Sequence, residues 1–180
     1  MPHSESSHTY PSLELASNLL LTSGLTIAVA ESCTGGLLGG ALTDVSGSSA
    51  YMLGGVIAYN DSVKRRLLSV PAELILEHGA VSEACAIAMA RGVVELMGAD
   101  RGVSVTGISG PLGGTATKPV GTTFIALSAA AGLRVERFLW DGSRAENRAR
   151  SVDTALAIVA DYLANRNIGS IEKRHLAKRD

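Results

Sequence analysis

Four stretches of this 180-residue sequence carry side chains that could do chemistry. The first is Ala30-Glu31-Ser32-Cys33-Thr34-Gly35-Gly36. A buried strand that ends in a small-residue turn ahead of a helix brings backbone N–H groups and the positive end of a helix dipole to one point. A serine hydroxyl placed there can serve as a nucleophile, and the same amides can hold an oxyanion or a phosphate. The competing reading makes Ser32 or Thr34 a helix cap and the glycines a chain reversal. The motif is neither the GxSxG elbow of α/β hydrolases nor a phosphate-binding P-loop, since no lysine follows the glycines.

The second stretch is Tyr59-Asn60-Asp61-Ser62-Val63-Lys64. A tyrosine that closes a strand and a lysine five residues later can both reach the rim of a sheet, where loops gather. A partly buried lysine can deprotonate a serine, as in Ser–Lys hydrolases. Otherwise Lys64, with Arg65 and Arg66, is a solvated first turn of a helix. The third stretch runs from Thr106-Gly107-Ile108-Ser109-Gly110 through Pro111 and Lys118 to Thr122, with a glycine density that permits close backbone approach to a ligand. Long loops of this kind are either functional or mobile. The fourth is Ser143-Arg144 with Arg148 one turn later, which reads as a bidentate phosphate clamp or as a solvated helix face. The four histidines are scattered and form no HxH or HExxH motif, so no metal site is expected. Cys33 and Cys85 make no CxxC pair, and a cysteine nucleophile at Cys33 lacks a histidine placed to activate it.

These stretches must be positioned by the elements around them. Leu13, Leu15, Ala16, Leu19 and Leu20 follow helical spacing after Pro11, and Ser23-Gly24 ends that helix. Thr26–Glu31 is apolar on both faces, the pattern of a buried strand, and 37–45 reads as a helix after the glycines. A second strand is expected at 54–59, a short helix at 62–68, and a helix capped by Ser82 that runs to Gly98. A third strand at 102–108 precedes the Gly-rich loop. Strands at 122–129 and 133–140 form a hairpin. The spacing Ser143-x-x-Glu146 is that of a capping box and opens the last helix, to about Asn165. Helices alternate with strands before the hairpin, so the expected fold is a three-layer α/β/α with a mixed, mostly parallel sheet of about five strands. One domain is expected over 9–165, with polar tails at 1–8 and 166–180; the basic tail reads as a frayed end or a weak anion-binding arm.

Composition narrows the function. Apolar residues make up 46% of the chain and charged residues 18%, enough to bury a core. Aromatics make up only 4% and the net charge is −1, which argues against single-stranded nucleic acid and against anionic membranes as partners. Leu19–Ala30 ends like a signal-peptide cleavage site, but no Lys or Arg precedes Lys64, so the stretch lacks a cationic n-region and a cytoplasmic location is expected.

Ala30–Gly36, Ser46-Gly47-Ser48-Ser49, Tyr59-Asn60 with Lys64, His78-Gly79-Ala80-Val81-Ser82 and the Gly107–Thr122 loop together resemble the CinA C-terminal family in content, order and spacing. The resemblance spans roughly Leu15 to Leu163 and departs from the family's usual residues at Ser109 and Leu112. It implies an amidohydrolase that converts nicotinamide mononucleotide to nicotinic acid mononucleotide and ammonia in NAD salvage. It also implies an α/β/α fold and a homo-oligomer. Carried over by motif position, Ser32 is the nucleophile, Lys64 its base and Tyr59 a supporting hydroxyl. Substrate contacts are expected from Thr34, Gly35 and Gly36, from Thr106, Gly107 and Gly110, and from Arg144. The expected partner is a small pyridine nucleotide, and this chemistry requires neither a metal nor an organic cofactor. The alternative is a catalytically silent nucleotide-binding or interaction domain of the same fold.

Overall fold

The computed structural model describes residues 10–165; the polar tails expected at 1–8 and 166–180 lie outside them. Strands β1 (Ile27–Glu31), β2 (Met52–Ile57), β3 (Arg101–Gly107), β4 (Thr122–Ala129) and β5 (Gly132–Leu139) form one sheet in the order β2-β1-β3-β4-β5. β1 pairs in parallel with both β2 and β3, and β4 is antiparallel to β3 and to β5. Four strands therefore run one way and β4 alone is reversed, because β4 and β5 form the expected hairpin.

Helices α1 (Leu13–Ser23), α2 (Leu37–Thr43) and α6 (Arg144–Asn165) cover one face, where Leu20, Leu38, Leu156 and Val159 pack on Val29, Val103 and Leu127. Helices α3 (Asp61–Leu68), α4 (Ala72–His78) and α5 (Glu83–Met97) cover the other, over Ala28, Ala30 and Ala126. The three-layer α/β/α architecture is as expected. Among the described residues no helix is long and apolar enough to cross a membrane. Leu19–Ala30, which mimics a leader, is instead the end of α1, a left-handed Gly24 and the wholly buried β1.

Several boundaries move. α1 starts at Leu13, with Ser12 at the N-cap position after Pro11. α2 ends at Thr43, short of the expected 45, and β2 ends at Ile57. α4 has no counterpart in the expected elements; at seven residues, with Leu74 and Ile75 only partly buried against the core and Leu76 89% exposed, it is too short to show a helical apolar period.

β1 sits between β2 and β3, and the chain leaves it toward β2 but leaves β3 toward β4. Loops that diverge from adjacent parallel strands open a crevice at their carboxyl ends. The turn after β1 and the Gly-rich loop after β3 flank that crevice. α3 is held close beneath it: a Cβ on Gly92 of α5 would come within 2.0 Å of the Leu68 carbonyl oxygen, so only glycine allows the two helices to pack this tightly.

Candidate functional site

Ser32 follows the last residue of β1, and its N–H donates to the Val105 carbonyl of β3 at 2.9 Å. Its side chain is 8% exposed, and among the described residues its Oγ has no hydrogen-bond partner. The Ala58 N–H donates to the Glu31 carbonyl at 2.6 Å, which carries the pairing of β1 and β2 up to Ser32 and Tyr59. Lys64, on the first turns of α3, is 2% exposed. Its Nζ donates to Asp61 Oδ1 at 3.0 Å and to the Tyr59 carbonyl at 3.4 Å. The solvated-surface reading of Lys64 is therefore wrong, while its amine is directed to Asp61 rather than to Ser32.

The expected oxyanion amides need correction. The Glu31 carboxylate is buried beneath the turn and accepts three N–H groups: Gly36 at 3.0 Å, Leu38 at 3.1 Å and Gly39 at 2.8 Å. The Gly35 N–H donates to the Ser32 carbonyl at 3.2 Å. Gly35 and Gly36 thus spend their amides inside the turn. Among the described residues, the Cys33 and Thr34 amides have no protein acceptor. Neither Ser32 nor Thr34 caps α2; Gly36 stands at the cap position without a side chain, and Glu31 supplies the acceptor. Thr34 Oγ1 is buried without a partner. Burial pushes the Cys33 thiol up to about 11, which leaves it protonated and inert near neutral pH.

The first turns of α6 join the three loops of the crevice. Arg144 Nη1 donates to the Gly110 carbonyl at 2.8 Å and Nη2 to Tyr59 Oη at 3.3 Å. Asn147 Nδ2 donates to the Ser109 carbonyl at 3.1 Å. Arg148 donates from Nε to the Cys33 carbonyl at 3.1 Å and from Nη2 to the Thr34 carbonyl at 2.8 Å. Positions 144, 147 and 148 share one helix face. Because a peptide unit is planar and trans, holding the Cys33 carbonyl also fixes the opposite direction of the Thr34 N–H. Arg148 is therefore a positioning residue rather than the phosphate clamp its spacing suggested. The capping box is present, with Ser143 N and Oγ donating to Glu146 Oε2 at 2.7 and 2.6 Å.

The Gly-rich loop is folded back on itself, with Ile108 N donating to the Thr122 carbonyl at 2.8 Å and Gly121 N to the Ile108 carbonyl at 2.7 Å. Lys118 Nζ donates to the His78 carbonyl at 2.6 Å and ties the loop to the end of α4. Thr106 and Gly107 serve packing here. Thr106 Oγ1 donates to the Ala80 carbonyl at 2.8 Å. A Cβ on Gly107 would lie 2.7 Å from Thr123 Oγ1 and 3.1 Å from Cys33 Sγ, so protein atoms already fill that space. Gly110 has φ +89° and offers its carbonyl to Arg144. Of the two departures from the family's usual residues, Ser109 is buried and Leu112 is an exposed loop tip.

Serine, lysine, tyrosine and arginine are thus brought to the carboxyl ends of β1 and β2, while Glu31, Asp61 and Asn147 are site residues that the sequence motifs did not single out. A family profile described as the CinA C-terminal domain matches residues 11–163. A "CinA-like protein" of Citrifermentans bemidjiense is 52% identical over 148 residues, covering 82% of this chain and 36% of that protein. The chain spans about a third of the length of the curated relatives it matches. Among solved structures, competence/damage inducible protein CihA from Agrobacterium tumefaciens is 39% identical with a TM-score of 0.81, over 87% of this chain and 98% of that one. The competence damage-inducible protein A from Klebsiella pneumoniae is 35% identical with a TM-score of 0.82, over 87% and 99%.

Proposed function

The chain belongs to the CinA C-terminal domain family, and from that premise we propose that it is a cytoplasmic, homo-oligomeric amidohydrolase that converts nicotinamide mononucleotide to nicotinic acid mononucleotide and ammonia. The observation that carries the proposal is the convergence of a partner-free Ser32 hydroxyl, the buried Lys64 amine and the Tyr59–Arg144 pair at one strand end. The cationic pyridinium withdraws electrons from its carboxamide and makes the carbonyl carbon electrophilic. Ser32 Oγ attacks that carbon and its proton passes to Lys64. The free amides of Cys33 and Thr34 are the donors available to the oxyanion, and one such donor is worth about 3 kcal/mol. Lys64 returns the proton to the departing ammonia, and water then releases the acid from the serine ester. Arg144, at the positive end of α6, is the group suited to the substrate phosphate. Ammonia release from nicotinamide mononucleotide tests this: Ser32→Ala should abolish it and Cys33→Ala should keep most of it. The reverse pattern removes Ser32 from the mechanism.

One observation favours the silent nucleotide-binding reading, namely that Lys64 Nζ is engaged by Asp61 at 3.0 Å. A lysine that only braces α3 is dispensable for turnover. Lys64→Met should lower kcat by about 10²-fold if the amine is the base; a folded Lys64→Met protein with unchanged kcat returns it to a structural role.

A further inference from the structure

The other end of the sheet holds a buried cation that forms no ion pair with any described side chain. Arg101 opens β3, level with Ile27 of β1 and Ala129 of β4, about 20 Å from the crevice at ~3.3 Å per residue. It is only 6% exposed, and its Nε and Nη1 are buried without a hydrogen-bond partner. Its guanidinium stacks over the Tyr162 ring, at 5.0 Å to the centroid, and interacts electrostatically with the exposed Asp100 carboxylate without a hydrogen bond to it. The neighbouring acids are already engaged. Asp100 accepts from Thr26 N at 2.8 Å and Thr26 Oγ1 at 2.7 Å, and Asp161 is paired with Arg134. Buried charges are ordinarily paired, and an unsatisfied one costs more than any single neutral hydrogen bond contributes.

Two cavities of about 450 Å³ each meet at Arg101, Leu25 and Tyr162. Asp100 lines one of them and repels an anion there. The other is walled by Leu19, Leu25, Leu163 and Tyr162, with the hydroxyl residues Thr22 and Ser23 and, among the described residues, no acid. Its size falls within the range of small-molecule sites. Nη2 is the one guanidinium nitrogen not closed off from solvent. An oxyanion that enters this cavity can therefore take a charge-assisted hydrogen bond from Nη2. We propose that this cavity binds a small organic carboxylate, its head on Arg101 and its apolar body between Tyr162 and the three leucines.

Calorimetric titration with sodium benzoate, against sodium phosphate and sodium chloride at equal ionic strength, tests the proposal. Benzoate should bind wild type and Ser32→Ala with equal affinity, and at least tenfold more weakly to Arg101→Met. Methionine keeps the stem's packing and removes the buried charge, so Arg101→Met should melt no lower than wild type. Arg101→Lys keeps the charge but withdraws the donor from the Nη2 position, and it should also bind benzoate at least threefold more weakly; it carries the comparison if Arg101→Met does not fold. Unchanged affinity in either folded Arg101 variant, loss of binding in Ser32→Ala, or the absence of saturable benzoate binding overturns the site. Phosphate binding at Arg101 in place of benzoate overturns the carboxylate assignment.

Discussion

Helices α2 and α6 both begin at the crevice, linked by Arg148, but are built in opposite ways. α6 caps itself: Ser143 and Glu146 exchange hydrogen bonds within one turn. α2 has a glycine at its cap position and takes its acceptor from Glu31, the last residue of the preceding strand. A self-contained cap leaves the next side chains free, and Arg144, Asn147 and Arg148 use that freedom to reach Gly110, Ser109 and the Cys33–Thr34 carbonyls. A cap supplied from the strand instead locks the turn that carries Ser32. Rigidity is concentrated where the proposed nucleophile must be held, and reach is concentrated where three loops must be tied together.

The contrast is broken most severely at Glu31. Glu31→Ala leaves three amides at a buried helix start without their acceptor and should cost about 3 kcal/mol or more in denaturant unfolding. Activity should fall with it, and Glu31→Gln should recover part of both. A Glu31→Ala protein as stable as wild type means that water replaces the carboxylate and that the turn is not locked from the strand. Next comes Arg148→Met, which frees the Cys33 and Thr34 carbonyls and so the direction of the Thr34 N–H. Here kcat should fall by up to about 10²-fold through misplacement alone, with KM little changed; a change confined to KM makes Arg148 a substrate ligand after all. Arg144→Ala removes a charged donor and should raise KM for nicotinamide mononucleotide about tenfold, with a smaller effect on a slow substrate that lacks the phosphate. Equal losses for both substrates, together with a lower melting temperature, mark Arg144 as a support for the Gly110 loop only. The smallest effect belongs to Ser143→Ala, about 1 kcal/mol of stability with kcat intact. A larger loss of kcat from this variant than from Glu31→Ala inverts the comparison between the two helix starts.

The same contrast explains what the sequence could disclose. Ser143-x-x-Glu146 and Ser82 are local devices, so the starts of α6 and α5 were legible from spacing alone. The β4–β5 hairpin and the buried β1 were legible from apolar pattern. Glu31 was not, because its three amides come within reach only after the chain reverses at Gly35 and Gly36. Asp61 and Lys64 could be read as one helical turn, but the burial of Lys64 depends on the close approach of α3 to α5 at Gly92. For the Gly-rich loop, glycine content was visible but its purpose was not: Gly107 makes room for Thr123 and Cys33.

The central claim is that the locked turn presents Ser32, and not its buried neighbour Cys33, as the nucleophile. Acid quench during turnover of nicotinamide mononucleotide, followed by peptide mass spectrometry, tests it most directly. The expected result is a nicotinate-mononucleotide acyl adduct on Ser32 that accumulates in wild type and is absent from Ser32→Ala. An adduct carried on Cys33, or undiminished turnover by Ser32→Ala with no adduct on any residue of the turn, contradicts it.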